Sequence, residues 1–374
     1  MTEARRIVII QPYIADYRVP LFSGLGQRLR EEGLSLTVAA GASTTGRHDE
    51  GVVPDIRAVR LIDRLGGSNG ALRYRSLRPL QLQPSDHIIV EDAIKNLETW
   101  RQLFGRARSA VAMWGHGART EHGRSRLPGI KQRLRLRADW YFAYTPHCAQ
   151  TIVNLGFPAD RVTSLHNTLD CASLRRDLDA VNPDAVAGFR SHHGLRPGRT
   201  ALFLGSLDGQ KAINYLRDVV ACAYAEDPSF RLLIAGRGEL EDGILRHPAG
   251  VGIGRVTGAQ KAMALAVSDV ILMPQGVGLV AVDALCSGVP IITRENSGHG
   301  PEADYLEPGI DSWWLPQSAP ASEYARQVLA VLSDSAGRAR AAQFGRSKAA
   351  LLGMDVLVGE YAAGILEWIA KPSR

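Results

Sequence analysis

Short apolar runs of β type alternate with longer helical patterns along almost the whole chain, and that rhythm constrains the fold more than any other feature. Strands are expected at Arg6–Gln11, Ser35–Ala40, His87–Glu91, Ala110–Trp114, Trp140–Tyr144 and Val162–Leu165. A second series follows at Ala201–Leu204, Phe230–Ala235, Gly250–Ile253, Val270–Met273 and Pro290–Thr293. Strands separated by helix-length segments are parallel neighbours joined by crossovers, so the pattern predicts parallel sheets covered by helices. Between the two series, Cys171–Arg199 carries charges, "NPD" and "RPG" but no strand pattern, which places the interdomain connection there. A chain of 374 residues also exceeds what one core normally supports. The expected class is α/β with two doubly wound, Rossmann-like domains. Their boundaries fall at 1–170, a connector over 171–198, 199–353, and a terminal helix over 354–374 that packs back toward the first domain. Ligands of such domains bind at the carboxyl ends of the strands.

Composition narrows the setting. The cysteines Cys148, Cys171, Cys222 and Cys286 are far apart and follow no metal-ligand spacing, which suits a reduced, cytoplasmic location. The opening "MTEARRIVIIQPYIADYR" has an apolar run interrupted at Gln11 and no small-residue cleavage site, so it reads as a first buried strand. No stretch reaches the roughly 20 apolar residues that span a bilayer, so membrane contact is expected to be peripheral. The net charge is +6, yet residues 101–137 hold ten Arg or Lys against one acid, Glu121. Such clustering suggests a local anionic partner rather than general nucleic-acid affinity.

In the second half, glycine turns recur at strand ends. After "ALFL" comes Gly205-Ser206-Leu-Asp-Gly-Gln-Lys211, where a lysine near a helix start suits a diphosphate, the other reading being an ordinary surface lysine. "RLLIAG" runs into Gly236-Arg237-Gly238, and a further strand ends at Gly254-Arg255. "DVILMP" is followed by Gln275, Gly276 and Gly278, then an apolar helix. Free N–H groups at Gly278, Leu279 and Val280 could hold phosphate oxygens, and Asp283, one turn deeper, could accept from ribose hydroxyls or serve only the helix dipole.

Taken in order, "GSLDGQK", "LLIAGRGEL", "IGRV", "SDVILMP", "GLVAVDALCSGVPII" and "GPEADYLEPG" resemble the donor domain of family 4 retaining glycosyltransferases with the GT-B fold. The resemblance implies two Rossmann-like domains facing a cleft. It also implies phosphate binding by Lys211, Gly278 and Leu279, and ribose binding by Asp283. The first acid of the family's Glu-x7-Glu motif, which meets the transferred sugar, is Gln275 here, and the first-turn arginine is Ser206. Gln275 keeps hydrogen-bonding capacity without negative charge. With Ser206 in the arginine's place, phosphate neutralisation falls to Lys211 with Arg237, Arg255 or Arg294. A branch of the family carries a Pro-x-Gly-x-Val-Gly-Leu-like turn with a later His-Gly-Pro-Glu, and this chain has "PQGVGL" and "HGPE" in the corresponding places; Glu302 is then a candidate sugar or cleft contact, or a cap for the segment that follows it.

In the first half, "QPYIADYRVP" places Tyr13, Asp16 and Arg18 on the loop after the first strand, as candidate acceptor contacts or plain loop residues. "AVAMWGHG" sets His116 between two glycines at a strand end, as a candidate site residue or a turn histidine bonded to backbone. The resemblance implies that this histidine meets the donor sugar or phosphate. "IVNLGFPADRVTSLHNTLD" resembles the family segment that ends the first domain, which implies that the turn Asn167–Asp170 shapes the hinge and cleft wall. The basic stretch Arg119–Arg137, with Ile130, Leu134 and Leu136 among its cations, reads as a surface for anionic lipid or as a solvated face over the core.

The leading functional reading is therefore sugar transfer from a nucleotide diphosphate sugar to an acceptor hydroxyl, retaining and metal-independent, with His116, Lys211 and Gln275 as catalytic candidates. No cofactor is expected beyond the donor substrate, and no metal. The acceptor is a sugar, a lipid-linked molecule or a small molecule, in cell-envelope polysaccharide or glycoconjugate synthesis. Two readings compete: glycosylation of a natural product, and a sugar-nucleotide-binding or scaffold protein that has lost catalysis. A dinucleotide oxidoreductase is disfavoured, since the first strand is not followed by Gly-x-Gly-x-x-Gly with a later acid. A metal-dependent transferase is disfavoured because the one tempting Asp-x-Asp, Asp177 to Asp179, lies in the connector.

Overall fold

The computed structural model describes residues 5–41, 56–66, 73–93, 95–105, 109–117, 128–295 and 298–372. The chain divides into two compact units, Met1–Asn167 with Met354–Arg374, and Thr168–Gly353.

The first unit contains β1 (Arg6–Gln11), β2 (Ser35–Ala40), β3 (Arg57–Arg60), β4 (Ile62–Gly66), β5 (Arg73–Ser76), β6 (His87–Glu91), β7 (Ala110–Gly115), β8 (Trp140–Ala143) and β9 (Val162–Ser164). Seven of them form one sheet in the order β3-β2-β1-β6-β7-β8-β9, parallel throughout. β4 and β5 form a separate antiparallel ribbon. Successive side chains of β1 point to opposite faces, and both faces are covered. Ile7 and Ile9 join Phe22, Leu25 and Trp368 in one core layer, while Val8 and Ile10 join Leu80, Leu103 and Tyr141 in the other. Each fully buried aliphatic side chain contributes on the order of 1.5–3 kcal/mol. The sequence pattern misses β3, "RAVR", because it is a mostly exposed edge strand without an apolar run.

The helix Val19–Glu31 starts with a proline in its first turn and buries Leu21, Phe22, Leu25 and Leu29 at helical spacing. Against it lies the carboxyl-terminal helix Met354–Ala370, which buries Leu357, Tyr361, Ile365 and Trp368. Tyr361 meets Phe142 with ring centroids 4.7 Å apart, and Lys371 reaches the Asp160 carboxylate at 2.7 Å. The expectation about membrane-length segments needs a correction here. By length and composition, Ser335–Ala370 holds an 18-residue window of mean hydropathy 1.5, of which 39% is buried. That stretch is two helices, Ser335–Ala349 and Met354–Ala370, and the apolar side of the second is occupied by the core of the first unit.

The second unit holds β10 (Thr200–Leu204), β11 (Arg231–Ala235), β12 (Gly250–Gly254), β13 (Val270–Leu272), β14 (Ile291–Arg294) and β15 (Ser312–Leu315), in the order β12-β11-β10-β13-β14-β15 and again all parallel. In each sheet the first strand lies between the second and a later one, which is the topological switch of a doubly wound domain. The segment 171–198, read from its charges as a connector, folds as two helices of the second unit, Cys171–Asp179 and Pro183–His193. Asp170 and Asn182 cap them through the N–H groups of Ser173 and Asp184, and Cys171 and Leu174 are buried. Of the basic stretch Arg119–Arg137, residues 119–127 lie outside the described residues, and Pro128–Arg135 is helical.

Candidate functional site

At the switch of the second sheet, the loops after β10 and β13 adjoin. Gly209–Lys211 forms a 3-10 turn capped by Asp208, and Ala212 follows in left-handed backbone, φ 52°, before the helix Ile213–Glu226. A non-glycine residue in that region is strained, and here it turns the chain directly after Lys211. The Lys211 ammonium donates to the Gly276 carbonyl. Gly276 has φ 71°, and a Cβ added there would lie 3.0 Å from the Gln210 carbonyl oxygen and 3.1 Å from Lys211 Nζ. Only a glycine lets the two loops approach this closely.

Beyond the turn, the helix Val280–Ser287 opens with Ala281 and Val282 donating to the carbonyls of Gly278 and Leu279. Among the described residues the peptide N–H groups of Gly278, Leu279 and Val280 have no acceptor. The turn is braced from the next loop. Val277 N–H donates to His299 Nδ1 at 3.1 Å, His299 Nε2 donates to the Arg294 carbonyl at 2.7 Å, and Gly300 N–H reaches the Val277 carbonyl at 2.5 Å. These bonds set the His299 tautomer. Glu302 is buried beside the same turn: a Cβ at Gly278 would lie 3.7 Å from its Oε2, and one at Gly300 2.8 Å. Gln275 is half-buried, with Nε2 3.9 Å from a Cβ built at Gly298.

Asp283 is buried and pairs through Oδ1 with Lys261 Nζ at 2.8 Å. Burial pushes its carboxyl up, and the Lys261 charge pulls it partly back. Lys261, on the helix Gly258–Ala266, carries no sequence signal of its own, because a single lysine on an amphipathic helix looks like any solvated one.

The three arginines behave differently. Arg294 donates from Nε to the Pro274 carbonyl at 3.3 Å and from Nη1 to the Gln317 carbonyl at 3.2 Å, and its guanidinium sits 3.8 Å over the Tyr215 ring. It holds the loop after β13 rather than projecting from it. Arg237 is exposed, paired with Glu241 and packed over Gly254, so it lies next to the exposed Arg255. The Gly236-Arg-Gly238 turn is explained by backbone contact: a Cβ at Gly236 would fall 1.8 Å from the Gly205 carbonyl oxygen, and one at Gly238 2.3 Å from that of Leu207. Gly205 and Leu207 N–H groups donate to the carbonyls of Ala235 and Arg237, each at 3.0 Å, and half-buried Ser206 sits between them.

In the first unit, half-buried Arg18 closes the 3-10 turn Asp16–Arg18, with half-buried Tyr13 and Asp16 just before it. Its guanidinium donates to Gln11 Oε1 and, at 2.6 Å, to Tyr144 Oη, and lies 4.5 Å over the Trp114 ring. His116 packs on Tyr144 with centroids 4.3 Å apart, and its Nδ1 has no hydrogen-bond partner among the described residues. Burial, and then the Arg18 charge, push its pKa down to about 4, so it is a neutral imidazole near neutral pH. The structure thus brings Arg18 and His116 together around Tyr144, a residue the sequence marks only as the end of a strand.

Two buried charge networks fix these loops. Arg75 pairs with Glu98 and donates to the Gln11 carbonyl at 2.5 Å. Asp92 accepts from Arg135 Nε at 2.8 Å and from Tyr141 Oη at 2.6 Å, while Tyr141 Oη accepts from Gly117 N–H and Arg135 donates to the Gly117 carbonyl. Gly117 follows His116, so that loop is held on both sides. None of these long-range partners has a local motif, and only the tertiary structure pairs them.

Two Rossmann-like units with these sheet orders define the class, a protein of the GT-B fold. Solved structures of that architecture superpose over nearly the full length. HepE of Anabaena in complex with UDP and glucose gives a TM-score of 0.69 at 16% identity, covering 96% of this chain and 98% of that one. A glycosyltransferase from Rickettsia africae gives 0.71 at 12%, covering 99% and 100%, and sucrose-phosphate synthase from Thermosynechococcus elongatus 0.69 at 15%, covering 98% and 99%. At such identities the likeness establishes the fold. Within it, residues 198–334, in the second unit, match the family model "Glycosyl transferases group 1". No curated protein matches the sequence.

Proposed function

We propose that the protein transfers a sugar from a nucleotide diphosphate sugar to an acceptor hydroxyl. The observation that carries this reading is the Lys211 ammonium held at the Gly276 turn, ahead of three N–H groups, at Gly278, Leu279 and Val280, that have no acceptor among the described residues. A cation and a helix start at a sheet's switch point form an anion site suited to a diphosphate. Lys211 and the amides stabilise the leaving diphosphate, Gln275 and Glu302 face the sugar, and Asp283 accepts from the ribose. The group 1 match over the same residues supports the assignment, and HepE binds UDP-glucose in a solved complex.

Retention follows in this reading from the resemblance to retaining enzymes. The leaving phosphate assists acceptor deprotonation on the same face, which needs no carboxylate nucleophile, and Gln275 is then compatible with turnover. Metal independence is supported by charge neutralisation through Lys211. Neutral His116 orients the sugar by a hydrogen bond, and Tyr13, Asp16 and Arg18 line the acceptor side. The acceptor is a glycan or lipid-linked hydroxyl of cell-envelope synthesis, met at the cytoplasmic face of the membrane.

A thermal-shift screen of nucleoside diphosphates and their sugars tests this directly, because a ligand specific to the native state raises the midpoint with occupancy. At least one nucleoside diphosphate is expected to raise it, and its sugar conjugate to be hydrolysed slowly without acceptor. Binding without any turnover, across donors and mixed acceptors, would instead favour a protein that has lost catalysis at Gln275.

A further inference from the structure

We propose that Lys261 is a positioning residue for the nucleotide: it holds Asp283 ionised with one oxygen occupied, so that the other oxygen alone meets a ribose hydroxyl. The inference rests on the donor reading above and deepens it.

The geometry comes first. Asp283 lies in the first turn of Val280–Ser287, directly below the glycine turn. Its Oδ1 accepts from Lys261 Nζ at 2.8 Å, and Oδ2 has no partner among the described residues. The carboxylate is 9% exposed and the lysine side chain 23%, so both touch the surface while most of each is covered. A carboxylate in that position with no partner would favour the protonated form, since burial penalises the charge. As a neutral acid it would be a weaker acceptor, because charge-assisted hydrogen bonds are about twice as strong as neutral ones.

The groups on the elements packed around Asp283 leave Lys261 as its ionic partner. Cys286 on its own helix and Cys171 on Cys171–Asp179 both sense the Asp283 charge as neighbours, and each raises rather than relieves the local negative potential if ionised. Arg175 and Asp170 act on those thiols, Glu302 lies at Gly278, and Arg346 lies at Gly288. Asp283 accepts an ion pair from none of them.

A consequence is a link between pH and nucleotide affinity. Burial raises the Asp283 pKa and Lys261 lowers it, so removing Lys261 extends the protonated range upward. The test is calorimetric binding of UDP and 2′-deoxy-UDP between about pH 5.5 and pH 8.5, with native protein, K261M, K261R and D283N. Native protein is expected to prefer UDP. K261M should bind UDP about ten-fold more weakly at the acid end and recover as pH rises, K261R should restore most of the affinity, and D283N should be weak at every pH. In K261M at low pH the preference for UDP over the deoxy form should shrink. A K261M affinity equal to native across the range, or lowered equally at every pH, overturns the proposal while leaving the donor reading intact. If native protein binds neither UDP nor GDP nor ADP, the donor reading fails and this one with it.

Discussion

Removing the carboxylate of Glu98 is the sharpest stability test that the first unit offers. Arg75 and Glu98 are 3% and 0% exposed, and the pair joins β5 to the helix Leu97–Phe104. Glu98 Oε1 also accepts from Arg75 Nε at 2.7 Å and Oε2 from the Arg75 N–H at 3.3 Å. E98A leaves a buried guanidinium without its counter-charge, which costs about 3–5 kcal/mol. For a unit of this size that is a fall of about 6–20 °C in melting temperature. The double variant R75M/E98L removes both charges, keeps similar volume, and should recover most of the loss. The effect should also reach the site. Arg75 holds the Gln11 carbonyl, and the Gln11 side chain holds Arg18. Calorimetric melting of the single and double variants, read as a double-mutant cycle, measures the coupling. A loss below about 1 kcal/mol for E98A, or a double variant worse than either single one, would refute the reasoning.

Further tests follow from the same geometry. K211A should weaken nucleoside diphosphate binding by about ten- to a hundred-fold, the worth of a charge-assisted hydrogen bond, with little change in melting temperature of the free protein. G236A drives a Cβ to 1.8 Å from the Gly205 carbonyl oxygen and should cost about 1–3 kcal/mol in denaturant titration, whereas G243A, with nothing among the described residues within 4 Å of the new atom, should be close to neutral. His166, in left-handed backbone, bonds Glu360 of the carboxyl-terminal helix at 2.7 Å, which raises the histidine's pKa against its partial burial. Its contribution should be complete below the unfolded value of about 6.5 and vanish as pH rises through the higher folded value. E360Q should abolish that pH dependence of the melting temperature while costing under about 1 kcal/mol at neutral pH, because both groups are about a third exposed.

Local periodicity was enough to place eleven strands of the two sheets, because a parallel strand buried on both faces is a continuous apolar run and needs no partner to be visible. β3 and β15 escaped for the opposite reasons. One is an exposed edge, and the other, "SWWL", follows a loop without the preceding rhythm. The helices of 171–193 were hidden because their low apolar content resembles a linker, and only packing in the second unit reveals Cys171 and Leu174 as core. In the site, glycine spacing identified the turn at Gly276 and the helix after it, since close backbone approach leaves no alternative residue. Partner choice was not local. Lys211 and Gly276 are 65 residues apart, Lys261 and Asp283 22, and Arg75 and Glu98 23. A carboxylate or lysine written in a sequence carries its charge, but whether that charge is buried, paired or left to a ligand depends on which loops the sheet order sets side by side. The chain's own pattern of apolar runs and glycines dictated two doubly wound domains and the place of the glycine turn before Val280–Ser287. Tertiary packing alone decided that Arg294 braces that turn, that Asp283 answers to Lys261, and that His116 stays neutral beside Arg18.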